Sequence, residues 1–229
     1  MSIILEKMRS DQSTLFVSIP RNSIEHALAA QEGGADAIKM HVNITHHATG
    51  ISFGTLEAEA KNLREVIEAV KIPVGLVPGE SLEIVNAGFM RKVIDMGFSF
   101  IDAYSQYWPA SIHEQDQIDL WAAFDSTYTL EEMVNIASYP WVDVVEASII
   151  PVDEYGVNLS WRDVSHYLNL KDAIHKPLVI PSQRKLRPDD MPALVKLGLK
   201  NFLMGAVSVG EDPSSIERCT REFRESLRP

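Results

Sequence analysis

The sequence contains a single cysteine, Cys219, and this scarcity excludes two kinds of stabilisation. One cysteine cannot form a disulfide within the chain, and it cannot build a metal site from several thiolates. Cys219 also falls at helical spacing with Ile216, Phe223 and Leu227. This spacing is typical of a small core residue rather than of a reactive nucleophile.

Long apolar runs and positive charge are scarce as well. The apolar run Ile3-Ile4-Leu5 is followed at once by Glu6 and Lys7, so it is too short for a signal-peptide core or a membrane-spanning helix. The chain has 21 Lys and Arg residues against 32 Asp and Glu residues, a formal net charge of -11. Such a surface repels nucleic acid and anionic lipid. We therefore expect a cytoplasmic protein without nucleic-acid or membrane partners.

What the chain does contain is a repeated unit of a short apolar run, a polar or glycine break and an amphipathic helix. No Pro/Gly/Ser-rich linker divides it, so we expect one domain over residues 1–229, with 1–14 as a lead-in. An open doubly wound sheet usually has a Gly-rich turn after strand one, where this chain has Pro20-Arg21-Asn22. The pattern instead predicts an α/β fold, a single (β/α)8 TIM barrel. Its strands are expected at residues 15–19, 35–41, 74–77, 99–103, 120–124, 142–148, 177–180 and 201–204.

Capping residues predict where the helices begin. The N-terminal signals are Ser23, Thr55, Ser81, a Thr129/Glu132 capping box, Ser160, Pro188 and Asp212-Pro213. The segment 112–119, between strands four and five, is short and polar and predicts only a weak helix. Three strand-to-helix loops are long, at residues 42–54, 104–112 and 149–159, and we expect them to wall an active site. An interface in a homo-oligomer is the alternative role for them.

Ionisable residues lie at the ends of several of the predicted strands. Because strand side chains alternate, Lys39, His41 and Asn43 share one face. If that face points into the barrel, the charges must pair with each other, and such pairing shifts pKa values toward catalytic use. A structural ion pair, or a Lys39 that faces the helices, is the alternative. The candidate catalytic residues are Lys39, His41, Asp102, Asp125 and Glu146.

The segment from Asn201 to Pro213 resembles the strand-eight phosphate site of the phosphate-binding barrels, a group that includes indole-glycerol-phosphate synthase and the ribulose-phosphate epimerases. In that group a glycine after strand eight lets backbone amides approach a substrate phosphate at the start of a short helix. The resemblance implies that Gly205 and Ala206 bind the phosphate of a small anionic metabolite.

After strand seven the same group usually has a glycine, and this chain departs from that pattern with Ser182-Gln183-Arg184-Lys185. The two cations are expected to bind the anion through charge, with Arg184 suited to bidentate contact. A solvated basic loop is the alternative. The predicted substrate-binding residues are therefore Asn43, Ser182, Arg184, Lys185, Gly205 and Ala206.

These features predict an enzyme that acts on a phosphorylated carbonyl or sugar-like substrate, an isomerase or a carbon-carbon lyase without a cofactor. Glu146 or Asp102 would remove a proton next to a carbonyl, and Lys39 would stabilise the enolate oxygen or form a Schiff base. We favour the electrostatic role of Lys39, since most Schiff-base barrel aldolases place their lysine on strand six, where this chain has Glu146.

Two other functions stay open at this point. A non-catalytic anion-binding or assembly barrel would keep the same fold and the same anion pocket. A metal-dependent hydrolase would use the histidines of loop two, His41, His46 and His47. Amidohydrolase-like barrels begin with a His-x-His pair on strand one, and strand one has no histidine here, so we predict no metal site.

Overall fold

The protein is a closed barrel of eight parallel strands, as the sequence pattern predicts. The computed structural model describes residues 2–114 and 117–228, without the side chains of residues 113 and 114. Each strand pairs with its neighbours in chain order, and β1 closes the sheet on β8 with Phe16 opposite Leu203. The strands are β1 (Thr14–Ser18), β2 (Ala37–His41), β3 (Val74–Val77), β4 (Phe100–Tyr104), β5 (Asp119–Ala123), β6 (Val144–Glu146), β7 (Leu178–Pro181) and β8 (Asn201–Met204).

Helices surround this sheet and follow most of the strands. The α-helices are α1 (Ile3–Arg9), α2 (Ile24–Glu32), α3 (Leu56–Ala69), α4 (Ala87–Met96), α5 (Leu130–Ala137), α6 (Trp161–Ala173), α7 (Met191–Lys196), α8 (Ala206–Val209) and α9 (Pro213–Ser226). Short 3-10 helices lie at Ser105–Tyr107, Ala110–Glu114, Val152–Glu154 and Pro188–Asp190. The predicted caps at Ser23, Thr55, Thr129, Ser160 and Asp212 are confirmed, each accepting a bond from the first turn of its helix. None of the helices in the described ranges has both the length and the apolar character needed to cross a bilayer.

The predicted start of the third barrel helix at Ser81 is wrong. Helix α4 begins at Ala87, and its cap is Asn86, whose side chain accepts from the amides of Gly88 and Phe89 at 3.0 and 3.1 Å. Asparagine caps a helix as well as serine does, so two capping residues five positions apart compete in this sequence. The loop after β3 therefore runs from residue 78 to 86 and is longer than the sequence suggested.

The connection between β4 and β5 contains no α-helix within its described residues. Two 3-10 helices, Ser105–Tyr107 and Ala110–Glu114, follow β4 instead. The weak helix predicted at 112–119 falls partly on residues 115 and 116, which lie outside the described residues. The outer side of the sheet at β5 is covered here by Trp108 and Ile112 from this irregular segment.

Helix α1 closes the amino-terminal end of the barrel, a feature that the sequence pattern did not predict for the lead-in. Its buried residues Ile4, Leu5 and Met8 pack on inward-facing side chains near the strand starts. In that layer Phe100 and Trp121 are stacked with ring centroids 4.1 Å apart. Because α1 covers the amino-terminal end, the barrel interior is reached from the carboxyl ends of the strands.

Candidate functional site

A cavity that is open to solvent at its mouth lies at the carboxyl ends of the strands. Its floor is formed by side chains from the even-numbered strands, as expected in a barrel where alternate strands contribute to one layer. Its walls come from the loops after β2, β6, β7 and β8. The residues that line it include Ser18, Lys39, His41, His46, Asp102, Tyr104, Glu146, Ser148, Tyr155, Ser182, Gln183, Gly205, Ala206 and Val207.

The floor of the cavity is an ion-paired triad of Lys39, Asp102 and Glu146. Lys39 Nζ donates to Asp102 Oδ2 at 2.8 Å and to Glu146 Oε2 at 2.7 Å. Ser148 Oγ donates to the other oxygen of Glu146 at 2.7 Å. The three charged side chains come from β2, β4 and β6, and each is less than a tenth exposed. Their burial is tolerated because every charge has an opposite partner.

Burial and neighbouring charges shift the pKa values of the two carboxyl groups in opposite directions. Burial raises the pKa of Asp102 well above its usual value, and the charge of Glu146 adds to this increase. For Glu146 burial acts in the same direction, but Lys39 and Ser148 outweigh it and lower the pKa. Burial opposes the charge on Lys39, and the two carboxylates outweigh that effect and raise its pKa. Of the two carboxyl groups, Glu146 is therefore the one whose ionised form is favoured.

His41 lies one layer above Lys39 on the same inward face of β2. Its Nε2 atom is hydrogen-bonded to Ser18 Oγ at 3.2 Å, and Asn22 fixes its backbone by donating to the carbonyl oxygen at 2.7 Å. Burial lowers the pKa of His41 well below its usual value, with the charge of His46 and Lys39 acting in the same direction. His41 is therefore a neutral imidazole linked to a serine hydroxyl at the cavity wall.

Strands β7 and β8 bring hydrogen-bond donors to the opposite part of the wall. The Gly205 amide donates to Ser182 Oγ at 2.8 Å, so the hydroxyl proton of Ser182 is free for another acceptor. Helix α8 begins at the next residue, and the Gly205 carbonyl accepts from the amides of Ser208 and Val209 but not from those of Ala206 and Val207. In the described part of the chain, no other group accepts from the amides of Ala206 and Val207.

Four of the residues predicted for the site do not line the cavity. Arg184 binds the carboxylates of Glu154 and Asp163, which leaves its charge compensated away from the cavity. Lys185 pairs through its backbone with Val157 at 2.9 Å.

The other two are held by residues of the surrounding loops. Asp125 accepts from the amide and hydroxyl of Thr127 at 2.8 and 2.6 Å on the surface. Asn43 turns into a left-handed conformation, φ 54°, and donates to the carbonyl of Pro78 at 2.9 Å.

The structure also adds residues that sequence reasoning did not select. Tyr155 reaches the cavity from the loop after β6, where Gln183 donates to its hydroxyl at 2.6 Å. Ser18 and Ser148 follow from strand alternation, because they lie on the same faces as the selected residues. His46 was noticed only as one of three nearby histidines. No local sequence signal marks Tyr155, since its position depends on how loop 149–159 packs on the loop after β7.

The histidines of loop two do not converge on a common point. His47 Nε2 is hydrogen-bonded to Glu80 Oε1 at 2.8 Å, whereas His41 faces Ser18. Among the residues that the structure describes, no group of three or more His, Cys, Asp or Glu side chains is arranged to hold a metal ion.

No family model matches the sequence, and no curated protein matches it. Solved structures do resemble it. Thiamine phosphate pyrophosphorylase from Pyrococcus furiosus is 15% identical with a TM-score of 0.66, covering 95% of this chain and 96% of that one. A phosphoribosylanthranilate isomerase from Thermotoga maritima is 13% identical with a TM-score of 0.63, covering 94% and 98%. A variant tryptophan synthase alpha-subunit from Pyrococcus furiosus is 12% identical with a TM-score of 0.70, covering 93% and 98%.

These likenesses show the fold. At such identities they carry no residue assignment from one protein to another. The first two proteins are named for compounds that contain a phosphate ester.

Proposed function

We propose that the protein is an isomerase that removes a proton next to the carbonyl group of a small phosphorylated, sugar-like substrate. The observation that carries this proposal is the buried triad of Lys39, Asp102 and Glu146 at the floor of a cavity whose wall offers free donors at β7 and β8. A general base and a cation that touch each other are the groups that enolate formation requires.

Each member of the triad has a distinct task in this scheme. The Glu146 carboxylate accepts the proton from the substrate carbon, because it is the carboxyl group that stays ionised. Two of the three N–H groups of Lys39 bind the carboxylates, and the third stabilises the negative charge on the enolate oxygen. Asp102 is the second acceptor of Lys39 and orients its ammonium group in the floor of the cavity.

The protonation state of Lys39 favours an isomerase over a Schiff-base lyase. A lysine attacks a carbonyl only as the neutral amine, and enzymes that use it this way lower its pKa. Here two carboxylates raise the pKa of Lys39. The ammonium form serves as an electrostatic catalyst and cannot act as the nucleophile.

The phosphate would bind where the sequence resemblance expects it, although by fewer residues. The hydroxyl of Ser182 and the amides of Ala206 and Val207 supply donors without positive charge. A Cβ placed at Gly205 would have its nearest heavy atom 3.8 Å away, so neighbouring groups of the chain leave space on this side of the cavity wall. Arg184 and Lys185 have no part in this site. A phosphate held there places the rest of the substrate above the triad.

The test is a screen of aldose and ketose monophosphates for solvent deuterium incorporation at carbon, followed by NMR. We expect one or more compounds to exchange with the wild-type protein and Glu146→Gln to slow exchange by roughly 10²–10⁴-fold. Asp125→Asn is the matched control, a strand-end carboxylate outside the cavity, and it should retain activity within about twofold. Exchange that survives in Glu146→Gln would refute the proposed base. Phosphate binding without any exchange would instead indicate a non-catalytic barrel.

A further inference from the structure

The loop after β2 is a short β-hairpin rather than an irregular lid. Its two sides are joined by hydrogen bonds from the Asn43 amide to Gly54, from Phe53 to Ile44 and from His46 to Ile51, each 2.8 Å long. The carbonyl of His46 accepts from the Gly50 amide at 2.8 Å and closes the turn. The backbone of His46 is thus fixed at both its amide and its carbonyl.

The His46 imidazole is held over the cavity from this hairpin. Its ring lies edge-on to His41, with centroids 4.9 Å apart, and it lines the cavity that contains the triad. Thr49 Oγ1 lies 3.3 Å from its Nδ1 atom and already accepts a bond from the Ile51 amide. In the arrangement on which the inference below rests, the Thr49 hydroxyl donates to Nδ1 and the ring carries its own proton on Nε2.

We propose that His46 is a catalytic residue, a neutral imidazole that donates its Nε2 proton in a hydrogen bond to the enolate oxygen of the bound substrate. This inference rests on the proposed function. When the carbon-hydrogen bond breaks, its proton moves to Glu146 and its electron pair moves to the carbonyl oxygen. Lys39 approaches that oxygen from the floor and His46 from the rim. The proton is then delivered to the neighbouring carbon, the electron pair of the enediolate double bond forms the new carbon-hydrogen bond, and the proton of the adjacent hydroxyl moves to the former carbonyl oxygen, so no other reactant is consumed.

The electrostatics around His46 suit a donor that never becomes cationic. Burial lowers the pKa of His46 to about 4, and the charges of Lys39 and His47 act in the same direction. The carboxylate on the same side of the mouth, Glu80, is bonded to His47. A neutral imidazole is a weaker acid than imidazolium, so it stabilises the enolate by hydrogen bonding and does not trap it by full proton transfer.

The test compares two probes by titration calorimetry at pH 7.5. Phosphoglycolohydroxamate is a planar mimic of an enediolate with one phosphate group, and inorganic phosphate reports on the anion site alone. We expect His46→Ala to weaken hydroxamate binding by roughly 10–100-fold and phosphate binding by less than about twofold. His46→Gln, which places an amide N–H near the position of Nε2, should restore most of the loss. His175→Ala, an exposed histidine before β7, is the control and should change neither affinity.

The outcomes separate this inference from the proposed function. Equal hydroxamate affinity in wild type and His46→Ala, or an equal loss for both probes, overturns the role of His46. A wild-type protein that binds neither probe overturns the proposed function itself. In the wild-type complex, ¹⁵N NMR of the labelled imidazole should show a proton on Nε2 and none on Nδ1. An imidazolium spectrum at pH 7.5 would contradict the inference even if the affinities agreed.

Discussion

Lys39 is the residue on which the interior charge balance depends. It is the cation that bonds to Asp102 and Glu146, and all three side chains are less than a tenth exposed. Removing one member of a buried ion pair strongly lowers the stability of a protein, because the remaining charge stays buried without a partner. Replacing the whole group by apolar residues costs far less. The lysine therefore serves stability as well as the proposed chemistry.

We expect Lys39→Met to lower the free energy of unfolding at pH 7 by about 3–5 kcal/mol. Without the lysine, burial raises the pKa of Glu146 above its value in the unfolded chain. A group with a raised folded pKa is stabilising when protonated, and this stability is lost as the pH rises through that pKa. The deficit relative to wild type should thus shrink between pH 7 and pH 5 in urea titrations. Lys39→Met with Glu146→Gln should recover stability at pH 7, and a pH-independent deficit would contradict this account.

At the scale of elements, sequence signals located the barrel strands but not all of the helices. Apolar runs separated by capping residues are local signals, and they gave the strand order and the caps at Thr129 and Ser160. The predicted start of α4 at Ser81 was wrong because Ser81 and Asn86 are both good capping residues. Only tertiary packing, in which Val85 is buried, decides between them. Helix α1 was missed because its apolar face is too short to recognise without the layer it covers.

The same reasoning explains what could be predicted of the site. Side-chain alternation on strands placed Lys39, Asp102 and Glu146 at one rim, since that rule needs no knowledge of loops. Arg184 and Tyr155 sit on loops, and their directions are set by partners such as Glu154 and Gln183 from other parts of the chain. Loop conformation depends on such long-range contacts, so the anion-binding role expected of Arg184 could not be tested by sequence pattern.

Helix α1 gives a direct test of how the closed end of the barrel is stabilised. Leu5 is 2% exposed and Ile3, two positions earlier, is 82% exposed on the same helix. We expect Leu5→Ala to cost about 2–5 kcal/mol, because it removes apolar contacts and leaves a cavity beneath the strands. Ile3→Ala should change the free energy of unfolding by less than about 0.5 kcal/mol. Similar losses for the two variants in chemical denaturation would show that α1 is not docked as described.

At the scale of the whole molecule, Asp36 joins the two ends of the chain. Its carboxylate accepts from Lys7 of α1 at 2.5 Å, from the Leu15 amide of β1 at 2.9 Å and from Arg224 of α9 at 2.5 Å. Arg224 also donates to the carbonyl of Gly34 at 2.9 Å. The first and last helices are therefore fastened at the seam where β1 meets β2.

We expect Asp36→Ala to destabilise the protein by about 2–4 kcal/mol, because a partly buried arginine and a strand amide lose a charged acceptor. Asp11→Ala is the control, since Asp11 pairs with Lys200 at the surface and such pairs contribute little. Thermal unfolding followed by circular dichroism would measure both. A loss at Asp36 no larger than at Asp11 would mean that the seam is held by apolar packing alone.

Because helix α1 closes the amino-terminal end of the barrel, it also affects how the triad exchanges hydrogen with solvent. Water approaches the triad from the mouth, so in the proposed reaction a bound substrate that fills the mouth delays the exchange of the abstracted proton with solvent. Part of the abstracted hydrogen then returns to the product, and the rest is replaced by deuterium before the product forms. The ratio of deuterium gained to product formed therefore measures how often the mouth of the cavity opens to solvent during one catalytic cycle.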